Sequence, residues 1–273
     1  MQITSKVFVV TGAGNGIGRE VALQLVEKGA RVAAIDLSEA GLAETVNLAG
    51  EKGDAISTHV VNITDRDAVL ALPAAVTAAH GQVDGLLNIA GIIQKFVPIA
   101  DLGFDQIERV IDVNLYGTIN TIKAFLPELT QRPEAAIVNV ASMGAYAPVP
   151  GQSLYGATKA AVAQLSRGLH SELMATNVQV TGVFPGAIGT NIAVNSAIMT
   201  PEEMAAMSAG AGGKERKSTP APEAGRQIVA AVEKGSYEIF IGSDARFMSR
   251  MSRLSPKRAA ALIYSQMKDL LGH

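Results

Sequence analysis

The fold is decided by VFVVTGAGNGIG, residues 7–18, which joins an apolar run to a glycine-rich turn. Val7–Val10 consists of β-branched and aromatic residues, which favour an extended strand. Four glycines follow at alternate positions, and a helical pattern then covers Ile17–Lys28. A strand that enters a helix through such a turn is the first half of a strand–helix–strand unit. The stretch therefore predicts a parallel sheet covered by helices.

The same alternation of short apolar runs and longer helical patterns continues along the chain. Most runs lack polar alternation, which is typical of parallel strands buried on both faces. This order predicts right-handed crossovers and an α/β fold, a single Rossmann-type doubly wound domain of about seven strands flanked by helices on both faces. The predicted strands are Val7–Val10, Arg31–Ile35, Ile56–Val61, Gly85–Ile89, Ala136–Val140, Val178–Phe184 and Glu238–Ile241. The predicted helices are Ile17–Lys28, Glu39–Glu51, Arg66–Ala79, Phe104–Leu126, Tyr155–Met174 and Glu223–Glu233.

Composition narrows the class of protein. The formal net charge is −2 and the pI is about 6.1, whereas a nucleic-acid binder needs a basic excess. There are no cysteines, and the four histidines have no metal-ligand spacing, so we expect no metal site. No apolar run approaches the roughly 20 residues of a transmembrane helix, and residues 1–10 do not resemble a secretion signal. We therefore expect a soluble, cytoplasmic protein.

The glycine turn has the chemistry of a phosphate site. Glycines let the backbone approach a pyrophosphate, and the helix N-terminus offers free N–H groups and a positive dipole. The order is Thr-Gly-x-x-x-Gly-x-Gly, because no register places glycine at all three positions of G-x-G-x-x-G. Asp36 stands 20 residues after Gly16, where a carboxylate accepts from ribose hydroxyls and repels a 2′-phosphate. The pattern favours NAD, and the nearby Arg19 and Arg31 leave NADP open.

A second group of residues has proton-transfer chemistry. Tyr155 and Lys159 stand four residues apart at the start of a predicted helix, so they share one face. Ser142 follows the strand Ala136–Val140, at the carboxyl edge where doubly wound sheets bind ligands. A phenol with an ordinary pKa of about 10 is a poor base, but a neighbouring ammonium and an oxidised nicotinamide lower its pKa. Tyr155 is therefore a candidate acid–base group, with Ser142 bonded to the substrate oxygen.

Over residues 6–242 the chain resembles the short-chain dehydrogenase/reductase family. The resemblance implies an NAD(H)-dependent oxidoreductase, an alcohol dehydrogenase or ketoreductase that transfers a hydride between the nicotinamide and a secondary alcohol or ketone. It also implies a homo-oligomer, commonly a tetramer formed through the long helices. The matching motifs are Thr11–Gly18, Asp36, Asn88-Ile89-Ala90-Gly91, Asn114, Ser142, Tyr155-Gly156-Ala157-Thr158-Lys159 and Pro185-Gly186 with Thr190.

The resemblance also implies a role for each matching residue. Tyr155 is the general acid/base, and Lys159 lowers its pKa while binding the nicotinamide ribose. Ser142 orients the substrate, and Asn114 holds a water that links Lys159 to solvent. Ile188 contacts the nicotinamide carboxamide. The implied cofactor-binding residues are Gly12, Asn15, Gly16, Ile17, Gly18, Asp36, Asn62, Ile63, Asn88, Ala90, Gly91, Tyr155, Lys159, Pro185, Gly186, Ile188 and Thr190.

Two positions depart from the family pattern. The family has a second asparagine where this chain has Ile89, at a position that mainly stabilises a strand in the family. At the adenine pocket the family prefers Asp-Val, and this chain has Asn62-Ile63. An amide oxygen still accepts from the adenine amino group, although without charge. We expect somewhat weaker adenine binding and the same cofactor.

Two regions lie outside the repeating pattern. We assign residues 1–243 to the catalytic domain, with a lid at 187–222 that has no predicted strand and a helix candidate at Glu202–Ser208. Residues 244–273 form a C-terminal helical extension with six cations and two acids, divided by Pro256. This extension packs on the subunit or a neighbour, covers the substrate mouth, or lies on an anionic membrane; packing is favoured.

The substrate and the activity each leave an alternative. The lid methionines Met199, Met204 and Met207 and the Val149-Pro150 region favour an apolar substrate, although helix packing also explains the methionines. The alternative to an enzyme is a vestigial family member that senses or scaffolds through its dinucleotide. The intact set of Asn114, Ser142, Tyr155 and Lys159 argues against it.

Overall fold

The structure, a computed structural model, describes residues 1–200, 202–203 and 218–268. The strands are β1 (Val7–Thr11), β2 (Arg31–Asp36), β3 (Ile56–Val60), β4 (Gly85–Asn88), β5 (Ala135–Val140), β6 (Val178–Pro185), β7 (Ile188–Gly189), β8 (Thr219–Pro220) and β9 (Glu238–Ile241). One parallel sheet has the order β3-β2-β1-β4-β5-β6-β9, and β7 pairs separately with β8. The predicted α/β fold is confirmed, with each predicted strand within one residue of its observed bounds.

Helices cover both faces of this sheet. They are α1 (Gly16–Glu27), α2 (Glu39–Leu48), α3 (Arg66–His80), α4 (Phe104–Ile111), α5 (Gly117–Leu129), α6 (Ser153–Glu172), α7 (Ile192–Asn195), α8 (Ala221–Lys234), α9 (Ser243–Leu254) and α10 (Pro256–Met267). One core cluster joins the sheet to α1, α2 and α8, and a second joins it to α3, α5 and α6.

Strand β1 shows why the runs are apolar throughout. Phe8 and Val10 belong to the cluster with α1 and α8, whereas Val7 and Val9 belong to the cluster with α3 and α5. All four side chains are fully buried. Because each face of the strand meets a helix layer, a polar side chain on either face would lose its water.

The strand order reverses between β1 and β4, which places a crevice at their carboxyl ends. From β1 the chain moves outward through β2 to β3, then returns to β4 on the other side. Thr11 at the end of β1 is level with Asn88 at the end of β4. Ligands of doubly wound sheets bind at such a point, so the glycine turn after β1 opens onto the expected binding crevice.

The predicted continuous helix Phe104–Leu126 is wrong in two respects. A π-helical turn, Asp112–Tyr116, separates α4 from α5. The periodicity of the sequence could not show this turn, because a single inserted residue barely changes the apolar pattern. Helix α5 also continues through Pro127 to Leu129, so the surrounding packing outweighs the hydrogen bond that proline cannot make.

The lid was predicted to contain no strand, and this is also wrong. Thr219 N donates to Ala187 O at 2.8 Å as β7 pairs with β8, which joins the two ends of the lid. Two-residue strands are too short to produce a hydrophobic pattern. Residues 201 and 204–217 lie outside the described residues, and with them most of the helix candidate Glu202–Ser208.

The described part of the C-terminal extension, up to residue 268, forms two helices that meet at Pro256, as predicted. Met248, Ala259 and Ile263 are buried against Ala147, and the partly buried Met143 and Val149 join the same cluster. The extension therefore packs against the loop that follows Ser142 in the same chain. None of the helices in the described part of the chain combines the length and apolar character that a membrane crossing requires.

Candidate active site

The glycine turn between β1 and α1 requires glycine where its backbone comes close to neighbouring segments. Gly12 has φ +71°, and a Cβ there would lie 2.9 Å from Cα of Ala90. A Cβ on Gly18 would overlap the carbonyl group of Gly12. Larger residues would force the turn away from β4 and from the start of α1. The glycines therefore hold the N-terminus of α1 close to the crevice, where its N–H groups favour an anion.

The Asp36 carboxylate accepts hydrogen bonds from the backbone of two segments, the glycine turn and the start of α2. Its Oδ2 accepts from Gly14 N at 2.9 Å, and its Oδ1 accepts from Ser38 N at 2.9 Å. A Cβ on Gly14 would lie 2.9 Å from Cγ of Asp36, so this approach also needs glycine. Each carboxylate oxygen keeps acceptor capacity for a further donor.

From the sequence, Arg19 and Arg31 were the two cations that could bind the 2′-phosphate of NADP. The structure shows where they lie. Arg19 Nη2 donates to Glu44 Oε2 at 2.7 Å and to Gly14 O at 2.5 Å. Arg31 begins β2 and Asp36 ends it, so roughly 16 Å of strand separates them. Arg19 is thus already paired with a carboxylate. Arg31 lies at the amino end of β2, away from the carboxyl end where Asp36 faces the crevice.

A cavity of about 910 Å³ follows the carboxyl ends of the strands. Residues adjacent to the predicted ones also line it, notably Leu37, Ser38, Val61, Thr64 and Ile92. In the sequence, only their position next to a predicted motif could have identified these residues as cavity-lining. The predicted cofactor residues that line the cavity are Gly12, Asn15, Gly16, Ile17, Gly18, Asp36, Asn62, Ile63, Ala90, Gly91 and Thr190.

The other predicted cofactor residues are not part of this lining. They are Asn88, Tyr155, Lys159, Pro185, Gly186 and Ile188. The Asn88 side chain is buried between elements, since its Nδ2 donates to Asn139 Oδ1 at 2.9 Å and its Oδ1 accepts from Thr121 at 2.7 Å. This asparagine therefore joins β4 to β5 and α5.

Lys159 lies one turn after Tyr155 on α6. Its side chain is almost fully buried, and its ammonium donates to Val140 O at 2.8 Å. Burial lowers the pKa of Lys159 to about 8. A Cβ on Gly91 would lie 3.0 Å from Nζ of Lys159 and 3.1 Å from Oδ1 of Asn114. Because Gly91 has no side chain, Lys159 Nζ and Asn114 Oδ1 can lie close to this part of the cavity lining.

Tyr155 is held through its backbone and lies beside Ser142. Its N–H donates to Oε1 of Gln94 at 2.9 Å, and its ring lies close to Ser142, because a Cβ on Gly144 would be 3.4 Å from both Tyr155 Cε1 and Ser142 Oγ. Burial raises the pKa of the phenol, and hydrogen bonding with the Ser142 hydroxyl lowers it by a smaller amount. The sequence predicted a lowered pKa. The surroundings that the chain itself supplies raise it instead, because the loss of solvent outweighs the hydrogen bond.

Asn114 is fully buried in the π-helical turn. Its Oδ1 accepts from Ile92 N at 2.9 Å, and its Nδ2 donates to Ile92 O at 2.9 Å and to Thr158 Oγ1 at 3.1 Å. Turns of this kind are frequent at functional sites because they redirect a side chain. The amide joins the segment after Gly91 to α6, which carries Tyr155 and Lys159.

At the two positions that depart from the family pattern, Ile89 and Asn62, hydrogen bonds are made within the chain. The backbone N–H groups of Ile89 and Ala90 both donate to Thr11 Oγ1, at 3.0 and 3.2 Å. Asn62 Oδ1 accepts from Thr64 N at 3.1 Å. The side chain at position 62 therefore stabilises its own turn at the cavity wall.

The turn after β6 depends on a residue that the sequence did not single out. Ala187 N donates to Asp244 Oδ2 at 2.7 Å, and a Cβ on Gly186 would overlap the same carboxylate. Asp244 belongs to α9, so the C-terminal extension holds the turn that leads to Ile188 and Thr190. Its only sequence signal was an acidic residue in the first turn of a helix.

Two buried glutamines also lie against Tyr155. Gln94 accepts from the Tyr155 backbone, and its own carbonyl oxygen accepts from Gln152 Nε2 at 2.6 Å. No role could be assigned to these two residues from the sequence, because a glutamine carries no distinctive signal without its partners. In the described residues, no group of three His, Asp or Glu side chains is placed to hold a metal ion.

Comparison with protein families agrees with this geometry. The family model described as short chain dehydrogenase matches residues 6–200. The chain belongs to the short-chain dehydrogenase/reductase family of oxidoreductases, which act on small molecules. A Mycobacterium tuberculosis protein provisionally named oxidoreductase SadH is 37% identical over 252 residues, covering 91% of this chain and 90% of that protein. An uncharacterized oxidoreductase of Staphylococcus saprophyticus is 35% identical over 191 residues, covering 70% and 81%.

Solved structures share the fold but differ in cofactor. Levodione reductase is 27% identical with a TM-score of 0.78, covering 89% of this chain and 98% of that one. Serine dehydrogenase in complex with NADP⁺ is 25% identical with a TM-score of 0.77, covering 86% and 93%. A Burkholderia phymatum short chain dehydrogenase/reductase in complex with NAD is 24% identical with a TM-score of 0.80, covering 93% and 96%, and shows the fold alone. These neighbours do not decide between NAD and NADP.

Proposed function

We propose that the protein is an NAD(H)-dependent alcohol dehydrogenase or ketoreductase that transfers a hydride between the nicotinamide and a secondary alcohol or ketone. One observation carries the proposal. The Tyr155 ring and Ser142 Oγ lie together at Gly144, and Lys159 and Asn114 meet at Gly91, which lines the cavity. A proton-transfer group and a charged partner thus stand beside a crevice shaped for a dinucleotide.

The cavity residues fit NAD. Gly12 and Gly14 leave room where a Cβ would come within 3.0 Å of Ala90 and Asp36, which forms a cradle for a pyrophosphate. Asp36 retains acceptor capacity for ribose hydroxyls and repels a 2′-phosphate. Arg19 already pairs with Glu44. NAD is therefore favoured over NADP.

The nicotinamide end would be held by residues beyond the lining of this cavity. Lys159 and Tyr155 would bind the ribose, and Ile188 would contact the carboxamide. Thr190 stands close to Gly16, since a Cβ on that glycine would lie 3.3 Å from its methyl carbon. Pro185 and Gly186 form the turn that sets this segment.

Ketone reduction needs one proton from the protein. When bound, NADH would supply the hydride that adds to the carbonyl carbon and would be converted to NAD⁺. Tyr155 gives its phenolic proton to the carbonyl oxygen, which yields a secondary alcohol. The raised pKa of Tyr155 keeps the phenol protonated for this step. Alcohol oxidation requires the phenolate, so its rate should rise with pH.

The other three residues support this transfer. Ser142 donates its hydroxyl hydrogen to the substrate oxygen and orients the carbonyl group. Lys159 has a pKa of about 8 and is mainly protonated at pH 7, so its charge stabilises the phenolate. Asn114 positions a water through which the lysine exchanges protons with solvent.

We propose that the body of the substrate is apolar. Met143, Ala147 and Val149 follow Ser142 closely, and they pack in one cluster with Met248 of α9. The C-terminal extension thus supplies part of the wall on the substrate side. We assign residues 1–243 to the catalytic domain, with the lid at 187–222, and residues 244–273 to this extension.

The test is NADH oxidation with a panel of apolar ketones. An enzyme consumes NADH with at least one ketone and reduces NAD⁺ with the matching alcohol. A vestigial sensor binds NADH with no turnover of any panel member. Binding without turnover across the panel, together with tight NADH affinity, would overturn the enzymatic proposal.

We also propose a homotetramer. Phe104 on α4 is 81% exposed and Tyr116 is 47% exposed, so the long-helix side leaves apolar surface uncovered. Size-exclusion chromatography with light scattering should give about four times the chain mass of 28.3 kDa. A mass of one chain at micromolar concentration would contradict this assembly.

A further inference from the structure

We propose that the exposed face of the C-terminal extension docks on an anionic lipid surface, so that the protein binds membranes peripherally. The inference goes beyond the proposed function and does not depend on it. It rests on the packing, the charge and the exposed apolar side chains of α9 and α10. We call this surface the basic face; its residues, all exposed, are Arg246, Phe247, Arg250, Arg253, Leu254, Lys257, Arg258, Tyr264 and Lys268.

Helix α9 packs on the chain with one side only, which leaves its other side for a partner. Its buried residues are Ala245, Met248 and Ser249. Successive residues turn by about 100° around a helix. Arg250 and Leu254 therefore lie on the side opposite to these three, and both are exposed. Packing on the chain and contact with a membrane do not compete for the same surface of α9.

Helix α10 is divided in the same way. Ala259 and Ile263 are buried, and they belong to one hydrophobic cluster with Met248 of α9. Lys257 and Tyr264 lie on the opposite side of α10 and are exposed. Because both helices turn their buried sides to the same cluster, their exposed sides point away from the body of the chain.

Positive charge is concentrated on this face. Residues 245–268 contain six cations and no acid. The whole chain has a formal net charge of −2, which includes the +6 of this segment, so the remaining residues carry −8. The surface of a soluble domain usually mixes both signs of charge. A face of one sign on a chain of the opposite net sign favours an anionic partner.

Most of these cations have no competing partner of opposite charge. Arg246 Nε donates to Phe240 O at 3.2 Å, and Arg253 Nη2 lies 3.5 Å from Glu238 Oε2. Among the described residues, no acidic side chain forms an ion pair with the other four, which are Arg250, Lys257, Arg258 and Lys268. An anionic surface could therefore bind these four without displacing an ion pair.

The exposed apolar side chains favour lipid over nucleic acid as the partner. Leu254 is 86% exposed and Phe247 is 55% exposed, and they lie two turns apart on the same side of α9. Cations alone would suit a phosphate backbone, but a leucine gains free energy only where it leaves water. Helices that lie in a membrane interface combine Lys and Arg with Leu and Phe. Tyr264, 58% exposed, is typical of the headgroup level.

The first experiment removes charge from the basic face of the full chain. Co-sedimentation with phosphatidylcholine vesicles, with and without phosphatidylglycerol, would be measured for the wild type and for the triple variant Arg250→Gln, Lys257→Gln, Arg258→Gln. The control variant has the same net charge and replaces three exposed cations of the body that form no ion pair among the described residues: Arg66→Gln, Lys123→Gln and Lys234→Gln.

The wild type should bind the vesicles that contain phosphatidylglycerol and not those of phosphatidylcholine alone. The basic-face variant should lower the partition coefficient by about 100-fold, because each cation near an anionic surface contributes about 5-fold. The control variant should change it by less than about 5-fold. Added salt should weaken binding of the wild type. Absence of wild-type binding, or equal binding of the two triple variants, would overturn the inference.

Two other occupants of the face give different outcomes. Tighter binding to a DNA duplex than to the anionic vesicles, lost in the basic-face variant, would assign the face to nucleic acid and overturn the inference. A basic-face variant that still binds vesicles but has a smaller mass in light scattering would assign the face to a second copy of the chain, and would overturn it as well.

A fluorescence experiment tests which surface enters the lipid. The chain has no tryptophan, so a single introduced one reports its own surroundings. The emission of Leu254→Trp should shift to shorter wavelength with the anionic vesicles. Leu70→Trp, at a position 56% exposed on α3, is the control and should not shift. An unshifted emission of Leu254→Trp in the vesicle-bound chain would show that another surface meets the lipid, which would overturn the inference.

Discussion

The cofactor side and the substrate side of the cleft are assembled from contacts of different range. On the cofactor side, Gly14 meets Asp36 across 22 residues of chain. At the Tyr155 end of the cleft, Gln94 meets Tyr155 across 61 residues, and Ala187, in the turn that leads to Ile188 and Thr190, meets Asp244 across 57. The first contact joins consecutive elements of one strand–helix–strand unit. The others join distant elements, so the substrate side depends on the packing of the whole chain, including its C-terminal helices.

Tyr155 lies where the two sides meet, and its removal should have the largest effect. Tyr155→Phe should lower turnover by about 10²- to 10⁴-fold, because the proton-transfer group is lost. Fluorescence titration should show that NADH still binds, with its affinity lowered by no more than about 10-fold through the loss of one ribose contact. Tyr264→Phe, on the exposed face of α10, is the control. Near-full turnover in Tyr155→Phe would exclude the assigned role.

A change confined to the cofactor side should affect only the cofactor. Asp36→Ala should raise KM for NAD⁺ by about 10- to 100-fold, because hydrogen bonds to a charged acceptor contribute about 1.5–3 kcal/mol. Discrimination against NADP⁺ should fall, and KM for the alcohol should stay constant. Asp54→Ala, at an exposed position, is the matched control. An equal change in both KM values would show that the two sides are not separable.

The buried ammonium should cost stability. The pKa of Lys159 is lowered from 10.5 to about 8, so at pH 7 the lysine stays charged and its charged form is less favourable in the folded chain than in the unfolded one. Lys159→Met should therefore raise the free energy of unfolding at pH 7 by about 1–2 kcal/mol, after loss of the bond to Val140 is offset. Turnover should be lost.

The pH dependence of this gain has a definite sign. Between pH 8 and 10.5 the folded lysine releases its proton before the unfolded one, so wild-type stability rises with pH and the advantage of Lys159→Met shrinks. Urea unfolding at pH 7 and pH 10 measures it. Lys123→Met, on an exposed face of α5, should show no such trend. A gain that is constant with pH would contradict the pKa shift.

The smallest expected effect concerns the contact between Asp244 and Ala187, which joins distant parts of the chain. Asp244→Asn keeps an acceptor for Ala187 N but loses the charge, so kcat/KM should fall by about 2- to 10-fold. Asp101→Asn, at an exposed position, is the control. A loss as large as that of Tyr155→Phe would mean that Asp244 takes part in the chemistry itself.

The sequence revealed the parts of the molecule that follow local rules. The strands could be predicted because runs such as Val7–Val10 must be apolar on both faces. The glycine turn and Asp36 could be predicted because backbone approach and charge leave few residue choices. The strand pair at Ile188–Gly189 and the π-helical turn at Asn114 could not, because neither alters the hydrophobic period.

The raised pKa of Tyr155 and the roles of Gln94 and Gln152 also escaped prediction, for a related reason. Each depends on burial by segments that are distant in the chain. A residue list contains the phenol and the amides, but it does not show which of their atoms lose water. Only the folded arrangement shows that Gln94 contacts the backbone of Tyr155.

The most direct test is a crystal structure with NADH and a bound ketone. The account predicts the Tyr155 hydroxyl within hydrogen-bond distance of the ketone oxygen, and the nicotinamide C4 about 3–3.5 Å from the carbonyl carbon. Ser142 should contact the same oxygen. A phenol far from the ketone, or a nicotinamide bound with C4 turned away from it, would contradict the proposed function.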